Sequence, residues 1–181
     1  MTPTPPDILD NYRQLVAKVD ALCSSITSRL QGELQCRAGC SSCCTAITIF
    51  PVEVAAMALL LKCLPDEISR DICSHVATQR GGERCPLLRN DRCLLYEARP
   101  LICRTHGLPI IYSQEGTQIS DCCPLNLTGT SSLSGADVIN LDTLNTLLTA
   151  INATYLAQST SIPPTDRIAI ADVVGTPISG C

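Results

Sequence analysis

The chain has 181 residues, of which 45% are hydrophobic, 17% are charged and 13 are cysteines, and its formal net charge is −4. This length fits one domain with a core of its own. The acidic balance argues against a nucleic-acid-binding surface, and no apolar run reaches the length of a membrane span. The start, Met1-Thr-Pro-Thr-Pro-Pro, lacks the basic and apolar regions of a secretory signal. We therefore expect a cytoplasmic protein that binds neither nucleic acid nor membrane.

Apolar residues at helical spacing predict helices on both sides of the chain's centre. The first is expected over residues 7–30, and the second begins with a proline in its first turn and covers residues 51–63. Pro65 separates it from a third helix, and residues 137–156 return to helical periodicity. The flanks therefore predict a mainly α protein.

The rest of the chain is less regular. Residues 108–112 and 117–120 can pair as a short β-hairpin. Residues 159–181 are rich in Ser, Thr, Pro and Gly and are expected to form an extended C-terminal tail after a single domain over residues 1–158. The expected architecture is a small helical shell around an irregular, cysteine-lined metal-binding centre.

The thirteen cysteines indicate either a disulfide framework or a metal site. Two pairs are adjacent, Cys43-Cys44 and Cys122-Cys123. Neighbouring Cα atoms lie about 3.8 Å apart, which is too close for an ordinary disulfide. The reduced thiols of a cytosolic protein also cannot serve as structural cross-links. We therefore favour metal binding.

Four cysteines are predicted not to be ligands. Cys23, Cys63 and Cys73 fall on helices, where a small apolar side chain in the core suffices, and Cys181 ends the expected tail. The other nine form what we call the cysteine belt. Its members are Cys36, Cys40, Cys43, Cys44, Cys85, Cys93, Cys103, Cys122 and Cys123.

The spacing within the belt favours an iron–sulfur cluster over zinc. The segment CRAGCSSCC gathers Cys36, Cys40, Cys43 and Cys44 within nine residues. Zinc knuckles are usually separate Cys-x2-Cys pairs, whereas cluster loops are compact and take a remote ligand from elsewhere. Nine cysteines exceed the four that one cluster needs. Two [4Fe–4S] clusters would use eight and leave one member of an adjacent pair spare, and zinc remains the alternative.

Charge near the belt supports an anionic centre. Residues 83–106 contain five arginines against three acidic residues, although the chain as a whole is acidic. Guanidinium groups would compensate the charge of a thiolate-bound cluster. Arg99 and Arg104 flank Cys103 and are expected to lie next to the cofactor.

CRAGCSSCC, then CPLL, then LLYEARPLICR make the chain resemble the YkgJ-type cysteine-cluster family of zinc- or iron-chelating domains. A related domain occurs in flagellin lysine N-methylase. The resemblance covers roughly residues 36–104 and implies metal chelation without a settled reaction. The family usually has an aromatic residue after Cys103-Arg104, whereas this chain has Thr105-His106, which makes His106 a further candidate ligand. The family pattern carries over onto Cys36, Cys40, Cys43, Cys44, Cys85, Cys93 and Cys103.

The function expected from these features is electron transfer or redox sensing by an iron–sulfur protein, together with a redox partner protein. A zinc protein with a structural or chelating role is the first alternative. The second is a domain in radical or methyl-transfer chemistry, because Cys-x3-Cys-x2-Cys is also the spacing of radical S-adenosylmethionine enzymes. The fold of those enzymes resembles a partial barrel of alternating strands and helices, whereas helices dominate the pattern of this chain. Whether the chain is an enzyme stays open.

Overall fold

The structure, a computed structural model, describes residues 7–129, 132–159 and 166–176. Helices dominate the described residues, so the prediction of a mainly α protein is confirmed, with small sheets added to it. The helices are α1 (Asp10–Arg29), α2 (Pro51–Cys63), α3 (Asp66–Gln79), α4 (Leu101–Thr105) and α5 (Leu141–Gln158). The strands are β1 (Thr48–Ile49), β2 (Leu88–Arg89), β3 (Arg92–Cys93), β4 (Ile110–Gln114), β5 (Thr117–Asp121), β6 (Ile139–Asn140) and β7 (Ile168–Ala169).

Helix α2 is the centre of the core. Val52, Val54 and Met57 are fully buried, and the helix contacts α3, α5 and the 3₁₀ helix Ile170–Gly175. Because it is surrounded on most sides, its sequence is apolar almost all round. In contrast, α1 is amphipathic and buries a single stripe against this core and against α4 and α5. A smaller apolar cluster surrounds Ile26, near the C-terminal end of α1.

The predicted hairpin is present. Strands β4 and β5 pair antiparallel from Ile110 opposite Asp121 to Gln114 opposite Thr117. Glu115 and Gly116 make the turn, both with positive φ, which is the backbone twist that suits a two-residue hairpin loop. β6 adds to β4 in parallel, which completes a three-stranded sheet.

Part of the predicted tail is folded, so that prediction is wrong for residues 166–176. Strand β7 pairs antiparallel with β1, and the 3₁₀ helix that follows buries Ile170 and Val173 in the main core. A few apolar residues in a polar segment are enough to return the chain to the core when a strand edge is available. Cys181 lies outside the described residues.

Two further predictions need correction. The last helix begins at Leu141 rather than at residue 137, because residues 139 and 140 pair with β4 and Asn140 then caps the helix through Thr143 N–H (2.9 Å). Cys63 is exposed and disulfide-bonded, so it is not a core residue. Cys23 and Cys73 are partly buried and pack against the main core. Among the described residues, no helix combines the length and hydropathy that crossing a bilayer requires.

Candidate metal centre

The first four belt cysteines lie on an irregular loop between α1 and β1. Tight turns fold this loop back on itself: Cys40 N–H donates to the Arg37 carbonyl (2.9 Å), and Cys44 N–H donates to the Ser41 carbonyl (3.0 Å). Gly39, inside the first turn, has φ +91°, a conformation that favours glycine. The turns allow closely spaced thiols to point into one space.

Backbone hydrogen bonds join this loop to the segment that carries Cys85 and Cys93. Cys85 N–H donates to the Cys44 carbonyl (3.0 Å), and Ala46 N–H donates to the Glu83 carbonyl (2.8 Å). The β2–β3 hairpin then turns through positive-φ residues Asn90 and Asp91. Because Cys93 lies on the returning strand opposite Leu88, the hairpin brings it back towards Cys85.

Cys103 is positioned by the short helix α4. The helix follows Pro100, and its first N–H, that of Leu101, donates to the Glu53 carboxylate at 2.9 Å. The same carboxylate accepts a hydrogen bond from Phe50 N–H at the start of α2 (2.9 Å). Burial raises the pKa of Glu53, and the two N–H donors oppose that rise. One buried side chain therefore fixes the starts of both helices and aims Cys103 at the belt.

These elements enclose a cavity of about 580 Å³. Its wall also contains apolar side chains, among them Met57 and Ile170, and it includes His106, whose imidazole pKa desolvation lowers. A neutral imidazole is the form that binds metals. Seven of the nine belt cysteines line this cavity: Cys36, Cys40, Cys43, Cys44, Cys85, Cys93 and Cys103.

Four of the seven thiols lie close enough to influence one another. Burial raises the pKa of Cys103 to about 12, and the thiols of Cys85, Cys93 and Cys44 add to the shift. Burial likewise raises the pKa of Cys85 and of Cys93. Thiolates in this position need a cation to compensate their charge, and a bound metal supplies one.

The backbone two positions further on acts on two of these sulfurs. Hydrogen bonding with the Leu87 backbone acts to lower the pKa of the Cys85 thiol, and that with the Leu95 backbone the pKa of the Cys93 thiol, in both cases against the effect of burial. Hydrogen bonds to ligand sulfurs stabilise thiolates and tune the potential of a cluster.

Cys36 lies at the outer end of the cavity and has a partner that sequence reasoning missed. Buried Asn126 donates from Nδ2 to Cys36 Sγ (3.3 Å) and to the Gly107 carbonyl (2.6 Å), while its Oδ1 accepts from Gln35 N–H (2.7 Å). A Cβ atom at Gly107 would lie 2.5 Å from Cys36 Sγ. Only glycine therefore leaves room for the sulfur at this position.

The two remaining belt cysteines, Cys122 and Cys123, differ in position. Cys123 lies beside Gly107, because its Cβ atom is 3.8 Å from the position that a Cβ atom at Gly107 would occupy. Its thiol also lies near that of Cys36. Cys122 is half-buried, and its N–H donates to the carboxylate of Asp121 (2.8 Å). Neither residue is among those that line the 580 Å³ cavity.

The two candidate arginines have different surroundings. Arg99 lines the cavity, and its guanidinium lies 3.9 Å from the centre of the Tyr96 ring. Arg104 is turned towards α1, where it donates from Nη1 to both carboxylate oxygens of Asp20 (2.8 and 2.7 Å). It also donates to the carbonyls of Glu97 and Arg99. The geometry therefore gives Arg104 a role in packing α4 against α1.

The donor set suits zinc or iron, because both metals take cysteine thiolates. The thiols surround a space rather than a point: within residues 7–129, 132–159 and 166–176, no group of three or more His, Cys, Asp or Glu side chains is arranged to hold a metal ion. The sequence predicted the belt residues from their spacing, and the structure brings seven of the nine to one cavity.

Comparison with known proteins agrees with this donor set. Residues 35–124 match the model of the CxxCxxCC family, described as a putative zinc- or iron-chelating domain. No curated protein and no solved structure matches the chain significantly. The matched segment begins next to Cys36 and ends directly after Cys123, so it contains all nine belt cysteines. Through this metal-chelating domain the chain belongs to the CxxCxxCC family.

Proposed function

We propose that the cysteine belt binds iron–sulfur clusters and that the protein transfers electrons to or from a redox partner protein. The observation that carries the proposal is the cavity of about 580 Å³ lined by seven cysteines. A single zinc ion needs four ligands that converge on one point. A cubane cluster binds each thiolate at a separate iron atom, so its ligands line a larger space. Thiols that surround a cavity without converging on one point favour the cluster.

The charges around the cavity support the same proposal. Arg37, Arg92 and Arg99 line it, against a single carboxylate from Asp91. A cluster with four thiolates carries a negative charge, and nearby guanidinium groups stabilise it and raise its potential. A zinc ion with four thiolate ligands also carries a negative charge, so the cationic rim supports an anionic thiolate centre of either kind.

Apolar residues complete the argument for electron transfer. Met57, Leu87 and Ile170 form much of the inner wall, and Leu87 is fully buried. An apolar wall limits the access of water and changes the potential of a cluster. Cys36 and Cys43 are exposed, so one side of the belt is open to a partner protein.

The test is purification without oxygen, followed by metal and sulfide analysis. We expect a brown protein with broad absorption near about 400 nm, with iron and acid-labile sulfide in equal amounts. Reduction with dithionite should bleach the absorption reversibly. A colourless protein with stoichiometric zinc and no sulfide would overturn the iron–sulfur proposal and would leave the zinc-chelating reading in its place.

A further inference from the structure

Eight of the nine belt cysteines fall into two groups of four, and the division runs between the adjacent residues Cys43 and Cys44. Cys44 is tied to Cys85 by the hydrogen bond from Cys85 N–H to the Cys44 carbonyl (3.0 Å). Cys43, its neighbour in sequence, is exposed and lies in the turn that the hydrogen bond from Cys44 N–H to the Ser41 carbonyl closes. The thiols of Cys43 and Cys44 lie close to each other, while Cys44 also lies near Cys85 and Cys93, and Cys43 near Cys40. The two groups therefore meet at this pair, which contributes one member to each.

The first group consists of half-buried cysteines. Cys85 and Cys93 are brought together by the β2–β3 hairpin, and both pack against the main core. Cys103 joins them from α4, where the Glu53 carboxylate fixes the helix start. Its thiol lies near those of Cys85, Cys93 and Cys44. We call these four residues the inner tetrad.

The second group lies at the solvent side. Cys36 Sγ and Cys123 Cβ approach the same face of Gly107. The thiols of Cys123, Cys40 and Cys43 lie near that of Cys36. Asn126 links the two halves of this group, because it donates to Cys36 Sγ while its own N–H donates to the Cys123 carbonyl (2.9 Å). We call Cys36, Cys40, Cys43 and Cys123 the outer tetrad.

We propose that the belt holds two separate four-thiolate centres and that Cys122 is the spare cysteine. The inner centre is ligated by Cys44, Cys85, Cys93 and Cys103, and the outer centre by Cys36, Cys40, Cys43 and Cys123. The assignment rests on the proposed function, since it takes each centre to be a four-iron cluster. Two exposed ligands make the outer centre the one that exchanges electrons with a partner. The inner centre, held by half-buried cysteines, is the internal one.

The adjacent residues Cys122 and Cys123 provide a matched test. Both are changed to serine, one at a time, in protein purified without oxygen. We expect about eight iron atoms per chain in the wild type and in Cys122→Ser, and about four in Cys123→Ser. Cys85→Ser should also retain about four, now in the outer centre. In the reduced wild type, magnetic coupling between two clusters should be visible, and both Cys123→Ser and Cys85→Ser should lose it.

The outcomes separate this inference from the proposed function. Cys122→Ser losing half of the metal while Cys123→Ser keeps all of it would overturn the assignment, as would one four-iron centre lost in both Cys85→Ser and Cys123→Ser. Two zinc ions per chain, reduced to one by Cys123→Ser or Cys85→Ser, would overturn the iron–sulfur proposal and still support the two tetrads. Circular dichroism of each variant checks that its helices are intact, so that loss of metal is not loss of fold.

Discussion

At the scale of single residues, Asn126 shows how a side chain outside the belt can organise it. It is 4% exposed and uses both amide hydrogens and its oxygen. The groups that it bonds come from three loop segments. The first holds Gln35 and Cys36, the second holds Gly107, and the third holds Cys123. These segments meet only in the folded protein. A buried amide with all its partners in place contributes to one defined arrangement of the loops.

Changing Asn126 to Ala should therefore destabilise the metal-free protein by about 1–3 kcal/mol, because the part-buried Gly107 carbonyl and Gln35 N–H lose their partner. In the metal-bound protein the outer centre should be reduced at a lower potential, because its Cys36 sulfur loses a hydrogen bond. Chemical denaturation and a redox titration measure the two effects. Asn145→Ala, at an exposed position on α5, is the control. Unchanged stability and potential in Asn126→Ala would show that the contact has no organising role.

At the scale of elements, the position of α4 depends on two charged side chains. Glu53 bonds its first N–H, and Arg104 connects it to α1 through Asp20. The Arg104 side chain is 6% exposed, so its guanidinium is shielded from water. Both contacts hold the helix that carries Cys103, which makes α4 the joint between the core and the inner tetrad.

Arg104→Lys keeps the charge but loses the planar guanidinium group that bonds Asp20 and the carbonyls of Glu97 and Arg99 at the same time. We expect a loss of about 1.5–3 kcal/mol in the free energy of unfolding of the metal-free protein, measured by urea denaturation. Arg89→Lys is the matched control, because Arg89 pairs with Asp71 at 2.7 Å on a more exposed surface. Its loss should stay below about 1 kcal/mol. Equal losses in the two variants would contradict the role given to Arg104.

Local patterns in the sequence explain why α1, α2, α3 and the hairpin were predictable. Their apolar spacing, Pro51 and the two-residue turn each act within a few residues. The return of residues 166–176 to the core was not predictable, because β7 pairs with β1, about 120 residues earlier. The same holds for the site. Spacing indicated the belt, but Asn126 is a single amide in a loop, and its role depends on contacts with residues about 90 positions away.

At the scale of the whole molecule, the cysteine-bearing loop lies between a helical core and solvent. In the inner tetrad Cys85 and Cys93 pack against the main core, whereas the outer tetrad includes the exposed Cys36 and Cys43. Burial limits the access of water and chelators to a metal. The two centres should therefore differ in how readily they lose their metal.

An iron chelator added to the oxidised protein should release the metal in two phases, the first about half of the total. Exposed ligands explain the fast phase, and the half-buried inner tetrad explains the slow one. In Cys123→Ser the fast phase should be absent, because the outer centre is not formed. A single phase in the wild type that releases all of the iron would contradict the difference in exposure between the centres.

X-ray absorption at the iron and zinc edges of protein purified without oxygen tests the central claim most directly, because it identifies both the metal and its neighbours. The account predicts an iron edge whose spectrum shows a sulfur shell and, beyond it, an iron–iron shell that only a polynuclear cluster produces. A zinc edge with sulfur neighbours alone, and no iron–iron scattering, would contradict it.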